Sequence, residues 1–112
     1  MKIYHNPRCS KSRQTLNIIK ESGHEVEIVE YLKTPPTEEE LQEVFQDLNL
    51  PIEYLIRKGE EIYKTEYKGK ELSDDEWIKA LVEHPKMLER PIVVKDGQAI
   101  LGRPPENVQK FL

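Results

Sequence analysis

The chain has only one cysteine, Cys9, and no long run of apolar residues. One cysteine excludes an internal disulfide and a zinc site built from cysteines. No apolar stretch approaches the roughly 20 residues that a membrane-spanning helix needs. We expect no signal peptide, because the N-terminus leads directly into a predicted strand. The sequence therefore predicts a cytoplasmic protein without membrane association, folded as a single domain over residues 1–112.

Acidic residues are absent from positions 1–20, although the chain as a whole has a net charge of −4. The bases in this segment are Lys2, Arg8, Lys11, Arg13 and Lys20. Positive charge around the only thiol indicates a local anion site, with solvated charges on a strand and a helix as the alternative. The broad basic surface typical of a nucleic-acid binder is missing, so no nucleic-acid partner is expected.

The first part of the chain is predicted to form a strand, a helix and a second strand. Apolar patterns predict strands at residues 2–5 and 26–31, with a helix at 12–21 between them. Ser10 or Ser12 is the expected N-terminal cap of this helix. A strand–helix–strand unit of this length predicts a crossover connection and a parallel pair of strands.

The middle of the chain is predicted to be a mainly helical, acidic insert at about residues 36–86. Two capping boxes, each a Thr or Ser followed three residues later by Glu, mark helix starts within it. The helices are expected at 38–48, 52–57, 60–66 and 74–83. Two strands at 90–94 and 99–101, joined by an Asp-Gly turn, precede a last helix. This order predicts an α/β, thioredoxin-like fold with a small mixed sheet (βαβ, helical insert, ββα).

Cys9 is expected in the turn between the first strand and the first helix. A helix N-terminus carries unpaired amides and partial positive charge, which lower a thiol pKa and attract anions. A lone cysteine is more often a small buried hydrophobe, but the polar, basic loop around Cys9 fits that alternative poorly. The pattern favours a nucleophilic thiolate beside a small oxyanion site.

Several short motifs, taken together, resemble the glutaredoxin-linked arsenate reductase family in its shorter, arsenate-reductase-like type. They occur in the family's order and spacing and extend over almost the whole chain. The motifs are His5-Asn6-Pro7-x-Cys9-x-x-Ser12-Arg13, Pro35-Pro36, Leu55-Ile56-Arg57-Lys58, His84-Pro85, Arg90-Pro91-Ile92-Val93-Val94 and Gly102-Arg103-Pro104.

The resemblance implies a thioredoxin-like fold with Cys9 as nucleophile and an oxyanion site formed by Arg57, Arg90 and Arg103. It implies that the thiolate attacks arsenate, that glutathione joins the covalent adduct, and that glutaredoxin resolves it to release arsenite. Glutathione is then a co-substrate, and no metal or tightly bound cofactor is implied. A cis peptide bond before Pro91 is also implied, and we expect a monomer.

The chemistry of the residues supports these roles but leaves alternatives open. Arginine suits a tetrahedral oxyanion because its planar fork binds two oxygens and keeps its charge. Arg90 and Arg103 have structural salt bridges as the alternative, and Arg57 has an ordinary surface position. His5 either stabilises or places the thiolate, or it caps a backbone group. Ser12 either caps the helix or hydrogen-bonds the thiolate.

The sequence departs from the family pattern directly after the cysteine. Ser10 and Lys11 stand where characterised reductases typically have Gly-Thr, and the amides of this turn would hold the oxyanion. The chain also stops soon after Gly102-Arg103-Pro104, without the longer tail of some members. Two other functions stay open: a different glutathione-linked thiol activity, and a polymerase-binding regulator of the same fold. Ser12 replaces the second cysteine of that regulator's disulfide switch.

Overall fold

The computed structural model describes all residues, 1–112, as a four-stranded sheet with helices on both faces. The strands are β1 (Lys2–His5), β2 (Glu27–Glu30), β3 (Ile92–Lys95) and β4 (Gln98–Leu101). The α-helices are α1 (Ser10–Glu21), α2 (Glu38–Leu48) and α3 (Asp74–Glu83). Short 3-10 helices cover Ile52–Leu55, Pro85–Met87 and Pro105–Phe111, and a π-helix covers Tyr63–Tyr67.

The sheet has the strand order β2-β1-β3-β4. β1 and β2 are parallel, whereas β3 runs antiparallel to both β1 and β4. The turn between β3 and β4 places Asp96 and Gly97 at positive φ, 49° and 75°, as a tight type I′ hairpin turn requires. The predicted mixed sheet, with a parallel first pair and a C-terminal hairpin, is confirmed.

The sheet separates two apolar clusters. Because side chains alternate along a strand, Ile3 of β1 faces one cluster and Tyr4 faces the other. The smaller cluster joins α1 to the C-terminal 3-10 helix through Ile19 and Phe111. The larger cluster contains the apolar faces of α2, α3 and the short helices between them, with Leu81 fully buried.

The helices α2 and α3 have the predicted bounds and the predicted caps. Thr37 and Ser73 each accept a hydrogen bond from the backbone N–H three residues later, and the glutamate at that position bonds back. Both capping boxes therefore satisfy amide groups that a helix start otherwise leaves unpaired.

Two shorter elements of the insert differ from the prediction. The helix predicted at 60–66 is a π-helix at Tyr63–Tyr67, preceded by a short helical start. The helix predicted at 52–57 ends earlier, because Ile56 leaves it to pair with Leu88 in an isolated bridge.

The start of α1 also differs from the prediction. The helix begins at Ser10 with Cys9 as its N-cap residue, and no side chain caps it. The prediction that Ser10 or Ser12 caps the helix is therefore wrong. The hydroxyl of Ser12 is held elsewhere, because it accepts a hydrogen bond from the Asn6 N–H and bonds to His5.

Two proline peptide bonds are cis. The bond between Arg90 and Pro91 is cis, as the family resemblance implied, and the bond between Arg103 and Pro104 is cis as well. None of the helices combines the length and apolar character needed to cross a bilayer.

The segments that carry the candidate site lie at one end of the sheet, where β1, β2 and β4 end and β3 begins. His5 at the end of β1 pairs with Glu30 at the end of β2. Ile92 at the start of β3 lies between Tyr4 and Leu101, so the end of β4 is at the same end of the sheet. The segments that adjoin these strand ends carry Cys9, Tyr31, Arg90 and Arg103.

Candidate active site

The loop between β1 and α1 is a tight turn that presents the cysteine. The backbone N–H of Cys9 donates to the Asn6 carbonyl oxygen at 3.0 Å, and the Arg8 N–H donates to Asn6 Oδ1 at 3.0 Å. From α1, Arg13 Nη1 donates to the Pro7 carbonyl oxygen at 2.9 Å. These bonds fix the loop, so that Cys9 stays partly exposed at the N-terminus of α1.

The pKa of the Cys9 thiol is lowered by its surroundings. Burial by itself raises this pKa, but the backbone N–H of Ser12 and the side chain of Arg90 face the sulphur and lower it. The N–H of Lys11 and the positive charge of Arg103 act in the same direction. Donors and positive charge around the sulphur favour the thiolate, which is the nucleophilic form.

Arg103 lies against the sulphur. Its Nη2 is 3.5 Å from Cys9 Sγ, and its Nε donates to the Arg90 carbonyl oxygen at 2.7 Å. Asn107 Nδ2 donates to the Arg103 carbonyl oxygen at 3.1 Å and fixes the loop after β4. The structure thus brings Arg90 and Arg103, from two separate strand ends, together at the cysteine.

Arg57 belongs to the same charged cluster, although no hydrogen bond links it to the sulphur. Its backbone N–H donates to the Met87 carbonyl oxygen at 2.7 Å, and the Glu89 N–H donates to the Leu55 carbonyl oxygen at 2.8 Å. These bonds join the helical insert to the segment before β3. The side chain then donates from Nη1 to Glu89 Oε1 at 3.1 Å.

Two carboxylates, Glu60 and Glu89, hold the arginines together. Glu89 Oε1 lies 3.1 Å from Arg57 Nη1 and 3.2 Å from Arg103 Nε. It also accepts a hydrogen bond from the Arg90 backbone N–H at 3.1 Å. Glu60 Oε1 lies farther away, 3.5 Å from Arg57 Nε and 3.6 Å from Arg90 Nη1. Arg90 and Arg103 therefore form the salt bridges that were the alternative to anion binding, and both also lie at the thiol.

The sequence analysis missed both carboxylates. The available signals were that Glu89 directly precedes Arg90 and that Glu60 follows Arg57 by three residues. Neither spacing shows that each carboxylate bridges two arginines from distant parts of the chain. Three guanidinium groups and two carboxylates leave a formal charge of +1 on the cluster.

His5 lies behind the cysteine loop, and the structure places no hydrogen bond between its ring and the sulphur. The residue is 6% exposed, and its Nδ1 is 2.6 Å from Ser12 Oγ. Burial lowers the pKa of His5, and the opposing charge of Glu30 does not restore it. A neutral imidazole therefore orients Ser12, whose backbone N–H faces the sulphur.

Tyr31, directly after β2, is a further residue that the sequence analysis missed. It is fully buried, with its hydroxyl beside the Arg90 guanidinium and the Asn6 side chain. Burial raises the pKa of Tyr31, and the nearby Arg90 and Asn6 offset this only in part, so the phenol stays protonated at neutral pH. The signal available for Tyr31 was its position at the end of the second strand, which runs parallel to the strand that leads to Cys9.

One concave region of the molecule lies away from the cysteine. A cavity of about 340 Å³ lies at the opposite end of the sheet and is lined in part by Lys2, Tyr4 and Lys95. No three His, Cys, Asp or Glu side chains come together as metal ligands. The site itself brings a thiol of lowered pKa next to guanidinium groups, whose geometry and charge suit an anion.

The sheet, its helices and this site define a thioredoxin-like protein with a low-pKa thiol beside a cluster of three arginines. The sequence profile described as the ArsC family matches residues 4–111, and the chain belongs to that family. The predicted family and the predicted thioredoxin-like fold are both confirmed.

Relatives match over essentially the full length of the chain. "Uncharacterized protein YfgD" of Escherichia coli (strain K12) is 48% identical over 100% of this chain and 96% of its own. An arsenate reductase of Neisseria meningitidis (strain DSM 15465 / Z2491) is 42% identical over 100% of this chain and 97% of its own. The solved structure of an arsenate reductase from Vibrio cholerae has a TM-score of 0.94 at 47% identity, covering 100% of this chain and 98% of that chain.

Proposed function

We propose that this protein reduces arsenate to arsenite, with Cys9 as the nucleophile and with glutathione and glutaredoxin as the source of electrons. The observation that carries the proposal is the contact of Arg103 Nη2 with Cys9 Sγ at 3.5 Å, at a site where Arg90 also lowers the pKa of the thiol. Full-length similarity to proteins named arsenate reductase supports the choice of substrate.

The arginines have an electrostatic role in this proposal. Arsenate is an anion, so its approach to a thiolate brings negative charges together. Guanidinium groups offset that repulsion and stabilise the charge that develops on the arsenate oxygens. Arg90 and Arg103 hold the oxyanion against Cys9, and Arg57 completes the cluster from the helical insert.

The first chemical step is attack of the Cys9 thiolate on arsenic. A sulphur–arsenic bond forms, an arsenic–oxygen bond breaks, and the oxygen leaves as water after protonation. Arsenic remains pentavalent at this stage. His5 and Ser12 are positioning residues for this step, because together they orient the backbone N–H that faces the sulphur.

External thiols then supply the electrons, since a chain with one cysteine cannot form its own disulfide. Glutathione replaces a second oxygen on arsenic. The glutaredoxin thiolate attacks the glutathione sulphur, and the electron pair of the sulphur–arsenic bond stays on arsenic, which becomes trivalent. Water then releases arsenite from Cys9, and a mixed disulfide of glutaredoxin and glutathione is left.

Direct measurement of arsenite tests the reaction and its partners. Purified protein is incubated with arsenate, glutathione and glutaredoxin, and arsenite is quantified by chromatography with arsenic detection. We expect arsenite in the complete mixture and none when either thiol partner is omitted. A complete mixture without arsenite would reject arsenate reduction, whereas arsenite formed without glutaredoxin would reject only that partner.

The two carboxylates favour a second candidate function. Glu60 and Glu89 offset two of the three positive charges in the cluster, which weakens its attraction for a multiply charged anion. A glutathione disulfide needs less positive charge at its reacting sulphur, so Cys9 would exchange with it in a different thiol reaction. Stoichiometric glutathione attached to Cys9, seen by intact mass, together with no arsenite production, would favour this candidate.

A further inference from the structure

The buried hydroxyl of Tyr31 lies beside Arg90 and Asn6 without a well-formed hydrogen bond to either. The residue is fully buried, and no backbone or side-chain group forms a hydrogen bond of ordinary geometry with its hydroxyl. Buried polar groups in folded proteins nearly always have a hydrogen-bond partner, so such an exception calls for an explanation. A phenylalanine at this position would fill the same space without burying a polar group.

The other buried side-chain atoms without a partner lie at the same site. They are Nε of Arg90 and Nε of Arg57, which lies 3.5 Å from Glu60 Oε1 in an ion pair but forms no hydrogen bond. Each of the three is a hydrogen-bond donor, and they belong to one cluster. An oxyanion only accepts hydrogen bonds, so its chemistry suits a cluster that contains unpaired donors.

The fold explains how Tyr31 reaches this place. Glu30 pairs with His5 across the parallel strands, so the next residue, Tyr31, lies beside the loop that starts at Asn6. Its hydroxyl is next to the guanidinium of Arg90. That guanidinium also faces the Cys9 sulphur, so the tyrosine hydroxyl lies behind Arg90 at the site.

We propose that the Tyr31 hydroxyl donates a hydrogen bond to an oxygen of the bound tetrahedral oxyanion, as a neutral donor behind Arg90. The inference rests on the proposed function, because it adds a binding residue to that same site. Glu60 and Glu89 already offset part of the positive charge of the arginines. A neutral hydrogen-bond donor therefore adds affinity for the anion that the remaining charge does not supply. The interaction exists in the ground state as well as during the reaction, so it acts on binding more than on the chemical step.

The test compares Tyr31→Phe with a matched control, Tyr4→Phe. Tyr4 is also buried, but its hydroxyl lies near Glu40, Glu43 and Glu27 at the opposite end of the sheet. Phosphate, a non-reactive tetrahedral oxyanion, is titrated into each protein by NMR, and KM and kcat for arsenate are measured. We expect Tyr31→Phe to weaken phosphate binding and to raise KM by roughly tenfold, because a hydrogen bond to a charged group is lost. The kcat of Tyr31→Phe and all values for Tyr4→Phe should match those of the unsubstituted protein.

A second measurement needs no substitution at Tyr31. With tyrosine ring carbons labelled, phosphate should shift the resonance of the carbon that bears the Tyr31 hydroxyl and leave that of Tyr4 unchanged. Unchanged phosphate affinity and KM in Tyr31→Phe, or an unshifted Tyr31 resonance at saturating phosphate, would overturn this inference alone. If the unsubstituted protein binds neither phosphate nor arsenate, the proposed function fails together with the inference.

Discussion

At the scale of single residues, the lowered pKa of Cys9 depends on groups that the sequence separates widely. The amides of Ser12 and Lys11 belong to the same turn, but Arg90 and Arg103 come from the other end of the chain. Together they outweigh the effect of burial, which on its own would favour the neutral thiol. The lowered pKa of this thiol is therefore a product of tertiary structure as much as of the helix N-terminus.

Replacing Arg90 with glutamine should raise the pKa of Cys9 toward that of an ordinary thiol. The substitution removes a donor and a positive charge from the sulphur, so less thiolate is present at neutral pH. The rate of Cys9 alkylation by iodoacetamide, measured against pH, reports this pKa. Arg8→Gln is the control, since it removes the same charge from an exposed side chain in the same loop. Identical pH profiles for Arg90→Gln and the unsubstituted protein would contradict the assignment.

The two carboxylates should respond differently to removal of their charge. Glu60 lies 3.5 and 3.6 Å from its arginines, without hydrogen bonds of good geometry, so Glu60→Gln frees positive charge for an anion. We expect oxyanion affinity to rise by roughly two- to fivefold, or about 0.5–1 kcal/mol for a partly exposed pair. Glu89→Ala should lower affinity instead, because it removes the oxygen that accepts hydrogen bonds from the Arg57 side chain and the Arg90 backbone N–H and so positions both. NMR titration with phosphate measures both, and equal shifts in one direction would contradict these separate roles.

At the scale of elements, α1 is held close to the end of β4 by a contact that leaves no space for a side chain. A Cβ on Gly102 would lie 2.5 Å from Thr15 Oγ1 and 2.6 Å from Pro91 Cγ. Thr15 is itself fully buried, and its hydroxyl faces the Gly102 carbonyl oxygen at 3.3 Å. This contact places the helix that carries Cys9 against the loop that carries Arg103.

Gly102→Ala should therefore destabilise the protein by about 1–3 kcal/mol, the usual cost of overpacking a filled site. The free energy of unfolding in urea measures the effect. Gly59→Ala is the matched control, because a Cβ there has no atom within 4 Å. Equal stability of the two variants would show that α1 can move away from the loop at little cost.

The sequence was most informative where a local rule determines the structure. The capping boxes at Thr37 and Ser73 gave the starts of α2 and α3, and the Asp-Gly pair gave the hairpin turn. It was least informative where two local options compete. Ser10 and Ser12 both suited a cap, but a buried bond to His5 decided the position of the Ser12 hydroxyl instead.

At the scale of the whole molecule, the site forms because four chain segments meet at one end of the sheet. The order β2-β1-β3-β4 places the ends of β1, β2 and β4 next to the start of β3. Family motifs identified Arg57, Arg90 and Arg103, but only tertiary structure shows which carboxylates join them. The same holds for Tyr31, whose hydroxyl is significant only because Arg90 lies beside it.

The ionisation of Cys9 should also appear in the stability of the whole protein. Because the folded state lowers the pKa of this thiol, the unfolded chain binds more protons in the window between the folded and the unfolded pKa. The contribution is fully present above the unfolded pKa and is lost as the pH falls through the folded pKa. The free energy of unfolding of the protein minus that of Cys9→Ser should therefore increase with pH across this window. Urea unfolding at several pH values checks the slope, and a difference that stays flat or decreases would contradict it.

The central claim, that the Cys9 thiolate attacks arsenate beside the arginines, is tested most directly by turnover with and without the thiol. Arsenate-dependent NADPH consumption is measured with glutathione, glutaredoxin and glutathione reductase, for the protein and for Cys9→Ser. We predict turnover that requires arsenate and is abolished in the variant, since serine is a far weaker nucleophile at neutral pH. Turnover retained by Cys9→Ser, or none in the unsubstituted protein despite a reactive thiol, would contradict the account.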